Sequence, residues 1–271
     1  MPELPEVETV KEALKKEVLN KVITDVKVYY DKIIEYPSID EFKSKIKNQR
    51  IIDVKRRGKW LLFELNDYYL LSHLRMEGKY FFKDMSSTLS KHEHISFILD
   101  NNKQMLYHDT RKFGRMYLLN KKEAFKVKPL NELGKEPFDK SLNVSYLKEK
   151  LKNKEIPIKT ILLDQSIITG IGNIYDDEIL FMCKINPLTK GKDISEQELE
   201  NIINNTRKVL TKAIKLGGTT IKSYTSSEGV HGRFQNELLI HTKKICPICQ
   251  NKVTKIKING RGTYYCENCQ K

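Results

Sequence analysis

The sequence lacks the features of a membrane or secreted protein. None of its apolar runs reaches the ~18 residues that a membrane-spanning helix needs. The Glu-containing N-terminus is not a signal peptide, and five cysteines in 271 residues do not suggest a disulfide framework. We therefore expect a cytoplasmic protein, long enough to form two or three small cores.

Acidic residues are scarce relative to basic ones. The chain has 35 Asp and Glu against 49 Lys and Arg, which gives a formal net charge of +14. This excess favours a polyanionic partner such as nucleic acid. A lysine-rich composition also occurs in proteins that have no such partner, so the charge alone does not decide the function.

Four of the five cysteines form two pairs near the C-terminus, with the spacing C-x2-C-x16-C-x2-C. This spacing is typical of a closed tetrahedral zinc site that has a structural role, and a redox dithiol is the alternative. Between the pairs, two alternating segments flank an Asn259-Gly260 turn, and so short a hairpin needs zinc to fold. We expect the fifth, Cys183, to be a small core residue. The predicted zinc ligands are Cys246, Cys249, Cys266 and Cys269.

The chain begins with MPELPEVE, which places a secondary amine beside carboxylates. If Met1 is removed, the Pro2 nitrogen can attack an electrophilic carbon, such as the anomeric carbon of a sugar, and form an iminium. An α-amino group has a pKa near 8 against about 10.4 for Lys, so more of it is unprotonated at neutral pH. Glu3 would transfer protons beside it. Structurally, Pro2 could merely permit methionine removal, while Pro5 and Glu6 start a helix.

The apolar pattern predicts an α+β protein with several domains. Runs of β-branched and aromatic residues between Val22 and Leu119 predict a β-sandwich with the N-terminal helix packed on it. Helical patterns follow, including Ile158–Ile168 and a long helix that starts at a capping box, Ser195 to Glu198. The expected parts are a catalytic β-sandwich (1–125), a linker (126–143), a helical domain (144–235) and a zinc finger (236–271).

The PELPEVET opening resembles that of the formamidopyrimidine-DNA glycosylases, bacterial repair enzymes that excise oxidised purines. Matching segments in the same order are RRGKW (56–60), SHLRMEG (72–78), DTRKFG (109–114), TGIGNIY (169–175) and the zinc finger. The resemblance implies a monomeric glycosylase and lyase of base excision repair that acts on double-stranded DNA with oxidised purines or abasic sites. Pro2 would attack C1′, and the iminium would allow β- and δ-elimination.

The resemblance also assigns roles to residues that the pattern alone leaves ordinary. Lys59 would reach the flipped nucleotide and its phosphate, His73 would contact a phosphate, and Glu6 would support the catalytic site. Base flipping leaves a void and an unpaired partner base. The residues that would enter the duplex are Met76, Arg111 and Phe113.

Two further DNA contacts are expected in the C-terminal half. TGIGNIY resembles a helix-two-turns-helix motif, in which Asn173 would bind a phosphate at a helix start, although the glycines alone predict only a tight turn. Arg261, just after the hairpin turn, would point towards phosphates. In the family the loop corresponding to residues 219–235 folds over the extruded base. One departure is His241-Thr242, where the family usually has Tyr-Gly, and this weakens a phosphate contact at position 241.

Two alternatives remain. The endonuclease VIII branch shares the chemistry but prefers oxidised pyrimidines, whereas the PELPE opening and the 109–114 segment favour the purine branch. A non-catalytic zinc protein that binds DNA would account for the charge and the cysteines. It would give no reason for Pro2-Glu3.

Overall fold

The computed structural model describes residues 1–219 and 232–271 of the chain. They divide into two units, one of residues 1–131 and one of residues 132–219 with 233–271. Most of the loop expected over 219–235 therefore lies outside the described residues. In the part of the chain that the structure describes, no helix is long and apolar enough to cross a membrane.

The first unit is a sandwich of two five-stranded sheets, as the sequence predicts. The first sheet has the order β3-β1-β8-β9-β7, and the second has the order β2-β10-β6-β5-β4. The strands are β1 Val22–Val28, β2 Ile34–Tyr36, β3 Gln49–Arg50, β4 Asp53–Arg57, β5 Trp60–Glu64, β6 Tyr68–His73, β7 Lys79–Asp84, β8 Glu93–Leu99, β9 Lys103–His108 and β10 Arg115–Asn120.

The core of this unit lies between the sheets and extends under two helices, α1 Leu4–Val18 and α2 Ile39–Ile46. Inward side chains of the strands, such as Phe63 and Phe97, are fully buried there. The apolar stripe of α1 belongs to the same core, because helical spacing puts its members on one face. These residues are Val7, Val10, Leu14 and Val18.

The second unit combines helices with a hairpin. Its helices are α3 Val144–Leu151, α4 Ile158–Leu162, α5 Asn173–Cys183 and α6 Glu196–Lys215, and its strands are β11 Thr254–Ile258 and β12 Arg261–Tyr265. The capping box at Ser195 is confirmed, with Ser195 and Glu198 bonded reciprocally. The hairpin turn at Asn259-Gly260 is also present.

The helix predicted over Ile158–Ile168 is wrong in its C-terminal half, since α4 ends at Leu162. The Asp164 carboxylate accepts hydrogen bonds from the backbone N–H and the hydroxyl of Ser166, at 2.9 and 2.7 Å. Such local side-chain bonds stabilise a turn in competition with the helix. Apolar spacing alone did not reveal this turn.

A buried ionic network connects the parts of the second unit. The ammonium of Lys159, fully buried in α4, lies 2.7 Å from Asp177 Oδ1 and 3.4 Å from Asp176 Oδ2, both on α5. Burial alone would lower the pKa of Lys159, but the two carboxylates outweigh it and raise the pKa. Asp177 Oδ2 accepts further bonds from His241 Nδ1 at 2.6 Å and from the backbone N–H of Tyr264 at 3.3 Å. One aspartate therefore ties α4 to the zinc hairpin.

We expect Lys159→Met to lower the free energy of unfolding by about 3–5 kcal/mol, because it leaves two carboxylates buried without their cation. The matched control is Lys148→Met, which removes an exposed pair with Glu196 and should leave the free energy of unfolding nearly unchanged. Urea denaturation measures both. Equal losses in the two variants would show that the buried network does not stabilise this unit.

Candidate active site and zinc centre

The first residues of the chain are fixed by a capping box at the start of α1. The backbone N–H of Glu3 donates to Glu6 Oε2 at 2.9 Å, and the Glu3 side chain caps the backbone of Glu6 in return. Glu3 and Glu6 are only 4% and 5% exposed, while Pro2 is half-buried. Glu6 thus holds Glu3 in place, and Pro2 immediately precedes this rigid helix start.

Two ion pairs fix how α1 lies along β4. Glu8 pairs with Arg56 at 2.8 Å, and Lys15 pairs with Asp53 at 2.6 Å. Seven residues of helix rise about 10.5 Å and three residues of strand about 10 Å, so both pairs form without distortion. The helix therefore runs antiparallel to β4. Its N-terminus points to the end of β4 where the chain turns through Gly58 and Lys59 into β5.

Several loops meet at this end of the second sheet. Cross-strand register aligns Arg57 with Trp60, Trp60 with His73, and His73 with Arg115. Beyond this row lie the turn at 58–59, the loop at 74–78 and the loop at 109–114. The structure thus gathers at one end of the sheet the predicted residues of the first unit, namely Pro2, Glu3, Glu6, Lys59, His73, Met76, Arg111 and Phe113.

His73 is held as a neutral hydrogen-bond donor. Its ring is 8% exposed and packs edge-on against Trp60, with ring centroids 4.8 Å apart. Its Nδ1 accepts the backbone N–H of Arg75 at 3.0 Å, so the neutral ring carries its proton on Nε2. Burial, with the positive charges of Arg75 and Lys59, lowers the pKa of His73 to about 3. At neutral pH His73 offers Nε2–H to a ligand, and the charge there comes from Lys59 and Arg75.

The loops that carry Met76 and Phe113 both pack against Tyr107, which the sequence analysis did not single out. A Cβ added at Gly78 would lie 2.4 Å from Tyr107 Oη, and one added at Gly114 would lie 1.8 Å from it. Only glycine fits either position. Burial, with the Asp109 carboxylate nearby, raises the pKa of Tyr107 well above its usual value, so the hydroxyl stays protonated. Met76 and Phe113 are 42% and 46% exposed beyond this contact.

Asp109 shapes the second of these loops. Its carboxylate is fully buried and accepts the backbone N–H groups of Arg111 at 2.9 Å and Gly114 at 2.8 Å. Its carbonyl accepts a bond from His94 Nε2 at 2.8 Å. The Arg111 guanidinium lies over the ring of Phe113, 4.7 Å from its centroid. An aspartate two residues before the bonded N–H is a turn signal that the sequence analysis could have used.

In the second unit the structure brings Asn173 close to Arg261. Asn173 is the first residue of α5, and its Nδ2 donates to the carbonyl of Gly262 at 2.9 Å, next to the exposed Arg261. Gln165 clamps the preceding turn, because Oε1 accepts the N–H of Gly170 at 2.8 Å and Nε2 donates to Ile171 O at 2.9 Å. One amide hydrogen of Asn173 is therefore used in the bond to the Gly262 carbonyl.

The four paired cysteines converge, and their Sγ atoms all lie within 4.8 Å of one another. Cys246 and Cys269 are 3.8 Å apart, and Cys249 and Cys266 are 3.4 Å apart. A tetrahedral zinc ion with Zn–S bonds of about 2.3 Å needs sulfur separations of about 3.8 Å. The donor set fits zinc. Among the described residues it is the one group of His, Cys, Asp or Glu close enough to hold a metal ion.

Comparison with known proteins identifies three family domains along the chain. Residues 1–116 match the formamidopyrimidine-DNA glycosylase N-terminal domain, residues 133–225 match the H2TH domain of these enzymes, and residues 244–271 match the zinc finger found in FPG and IleRS. The chain belongs to the formamidopyrimidine-DNA glycosylase family. The resemblance of the PELPEVET opening is thereby confirmed, and with it the predicted fold class.

Whole-chain relatives agree with this assignment. Formamidopyrimidine-DNA glycosylase of Oceanobacillus iheyensis is 46% identical over 273 residues, covering 100% of this chain and 98% of that protein. The enzyme of Mycoplasma genitalium is 44% identical over 275 residues, covering 100% and 96%. Lactococcus lactis Fpg in complex with abasic-site DNA has a TM-score of 0.91 at 35% identity, covering 99% of both chains. The same wild-type protein with N7-benzyl-Fapy-dG DNA has a TM-score of 0.92 at 35% identity, also covering 99% of both.

Within this family the cysteine cluster is a structural zinc site. The zinc-finger match and the sulfur geometry agree on one ion held by all four cysteines. A small apolar cluster surrounds it, in which Phe181 of α5 packs with Ile240 and Val253. Zinc therefore fixes the hairpin that presents Arg261.

Removal of one ligand should release the ion and disorder the hairpin. Cys246→Ser and Cys269→Ser are expected to contain less than the one zinc per chain of the unmodified protein and to bind damaged DNA more weakly, since metal binding supplies folding energy. Elemental analysis and a DNA titration measure these two effects. Full affinity in a variant shown to be metal-free would refute a role of the finger in DNA binding.

Proposed function

We propose that the chain is a bifunctional DNA glycosylase and abasic-site lyase of base excision repair, which removes oxidised purines and then cleaves the strand. The observation that carries the proposal is the gathering of Pro2 and Glu3 with Lys59, His73 and the two exposed loops at one end of the second sheet. A proton-transfer group, a cation and duplex-inserting side chains beside a terminal amine are what this reaction needs.

The chemistry starts from the amine of Pro2 once Met1 is removed. Its nitrogen forms a bond to C1′ of the flipped nucleotide, the glycosidic bond breaks, and the base leaves with the electron pair. The N–H proton of Pro2 passes to Glu3, buried at the helix start, and Glu3 delivers it to the sugar ring oxygen as the ring opens to the iminium. The iminium acidifies C2′–H, so loss of that proton expels the 3′ phosphate by β-elimination. A second elimination expels the 5′ phosphate.

The remaining residues hold the DNA. Lys59 and the neutral Nε2–H of His73 bind phosphates beside the extruded nucleotide, and Asn173 with Arg261 binds the backbone elsewhere. Met76 fills the void, and Phe113 wedges into the stack. We assign catalysis to residues 1–125 and DNA binding to the helical domain (144–235) and the zinc finger (236–271), with 126–143 as the linker.

We infer a substrate of double-stranded DNA that contains an oxidised purine or an abasic site, bound by a monomer at the nucleoid in the cytoplasm. Solved complexes of Lactococcus lactis Fpg support this, since they contain DNA with Fapy-dG or an abasic site. Another complex of that protein contains an oxidised pyrimidine. The rate of 8-oxoguanine excision should therefore be compared with that of thymine glycol excision, and stronger excision of thymine glycol would favour the endonuclease VIII alternative.

Borohydride should trap a covalent adduct between Pro2 and DNA, because it reduces the iminium to a stable amine. Mass spectrometry of the digested adduct locates the linkage. An uncleaved N-terminal tag should abolish trapping, and Glu3→Gln should keep DNA binding while base release falls. Trapping at an internal lysine of the native protein would overturn the assignment of Pro2, and undiminished base release would remove Glu3 from the mechanism.

Arg111 should favour 8-oxoguanine opposite cytosine over the same lesion opposite adenine. A guanidinium has donors only, and cytosine offers acceptors at O2 and N3, whereas adenine offers N1 beside a competing amino group. Loss of one charged contact costs about 1.5–3 kcal/mol, or roughly 10- to 150-fold. We expect Arg111→Ala to lower kcat/KM opposite cytosine by this factor and opposite adenine much less.

The matched control is Phe113→Ala, which should slow excision opposite both bases because it impairs flipping. If Arg111→Ala leaves the cytosine-to-adenine ratio of kcat/KM unchanged, the discrimination lies in another residue.

A further inference from the structure

Arg56 on β4 connects two parts of the proposed active site through one guanidinium group. Its Nε donates to Glu8 Oε2 of α1 at 2.8 Å, and its Nη1 donates to the carbonyl of Gly58 at 2.9 Å. Glu8 lies less than two helical turns after Glu3, and Gly58 immediately precedes Lys59. The side chains of Arg56 and Glu8 are only 10% and 20% exposed.

We propose that Arg56 is a positioning residue, which sets the distance between the nucleophile segment Pro2-Glu3 and the turn that carries Lys59. The inference rests on the proposed function. Arg56 acts through Glu8 and Gly58 and touches neither the sugar nor the base.

The chemistry of arginine suits this role. A planar guanidinium holds its donors at fixed angles, so a bond to Glu8 and a bond to Gly58 can be satisfied together in one geometry. A lysine ammonium at position 56 would keep the charge but not this fixed fork. The bond to Glu8 is a charged one, since hydrogen bonds from Lys11 and Arg56 outweigh burial and hold the pKa of Glu8 below its usual value.

Rigid elements carry this constraint to the reacting groups. The helix between Glu8 and Glu3 is capped and buried, so a shift at Glu8 moves Glu3 and Pro2 with it. At Gly58, with φ of 57°, the backbone turns directly into Lys59. A misplacement of about 1 Å between reacting groups can cost ~100-fold in rate.

A second ion pair between α1 and β4 provides a control that distinguishes positioning of the N-terminus from docking of the whole helix. Lys15 and Asp53 join α1 to β4 at the opposite end, 2.6 Å apart, with side chains 39% and 27% exposed. If docking of α1 were all that matters, loss of either pair would have a similar effect on catalysis. If local geometry at the N-terminus matters, only loss of the Arg56 pair should slow the reaction.

The test uses the full-length protein and DNA that already contains an abasic site, so that base release does not enter. Single-turnover borohydride trapping gives the rate of iminium formation, and titration of the same DNA gives Kd. The variants are Arg56→Lys and Glu8→Gln, with Lys15→Ala as the matched control. Circular dichroism and thermal melting verify that each variant folds.

We expect Arg56→Lys and Glu8→Gln to lower the trapping rate by about 10- to 100-fold with Kd changed by no more than about 2-fold. Their double variant should lose no more than the worse single variant, because both break one linkage. Lys15→Ala should trap at the unmodified rate.

Three results would overturn the positioning role: an unmodified rate in Arg56→Lys, an equal loss in Lys15→Ala, or a loss that appears entirely in Kd. Failure of the unmodified protein to trap at all would instead refute the proposed function.

Discussion

The position of the first residues depends on the docking of α1 against the sandwich core. A residue near a chain terminus is tethered on one side only, so its place must come from the element that follows it. The apolar stripe of α1 lies in the core of the first unit, and burial of each such side chain contributes roughly 1.5–3 kcal/mol. The capping box of Glu3 and Glu6 then extends this order to the residue after Pro2. The proposed nucleophile, Pro2, therefore owes its position to the hydrophobic core that holds the helix after it.

Burial also sets the protonation states of two residues near the site. Burial disfavours the charged forms of His73 in β6 and Tyr107 in β9, so His73 stays neutral and Tyr107 stays protonated. The folded state binds fewer protons than the unfolded state between the ordinary His pKa and about 3. The contribution of His73 to stability is therefore complete above the ordinary pKa and declines as the pH falls through that window. Attraction for DNA phosphates comes instead from lysines and arginines, whose charge does not change near neutral pH.

Local signals in the sequence predicted the parts of the structure that local interactions determine. The zinc ligands follow from cysteine spacing. The start of α1 follows from Pro5 and Glu6 before an apolar stripe, and the start of α6 follows from the capping box at Ser195. The sandwich follows from the runs of β-branched and aromatic residues between Val22 and Leu119. The end of α4 was missed because its turn depends on the side chain of Asp164 rather than on apolar spacing.

Contacts between distant segments could not be predicted from one sequence. Arg56 was one of eight basic residues between Lys43 and Lys59, and nothing local distinguishes it. Its pairing with Glu8 depends on how α1 lies along β4. The neighbourhood of Lys59 and His73 likewise comes from the register of β5 with β6. The family resemblance named Lys59 and His73 without explaining why they meet.

The buried Tyr107 constrains the two loops that carry the exposed side chains of Met76 and Phe113. Its hydroxyl lies against Gly78 and Gly114, which follow Met76 and Phe113 by two residues and one residue. Two loops from different strands therefore rest on one buried atom, and their side chains emerge with a fixed spacing. In the proposed function Phe113 and Met76 enter neighbouring positions of one duplex, and a shared support would set their separation. Met76 and Phe113 are exposed, and a buried tyrosine with two glycines fixes the loops that carry them.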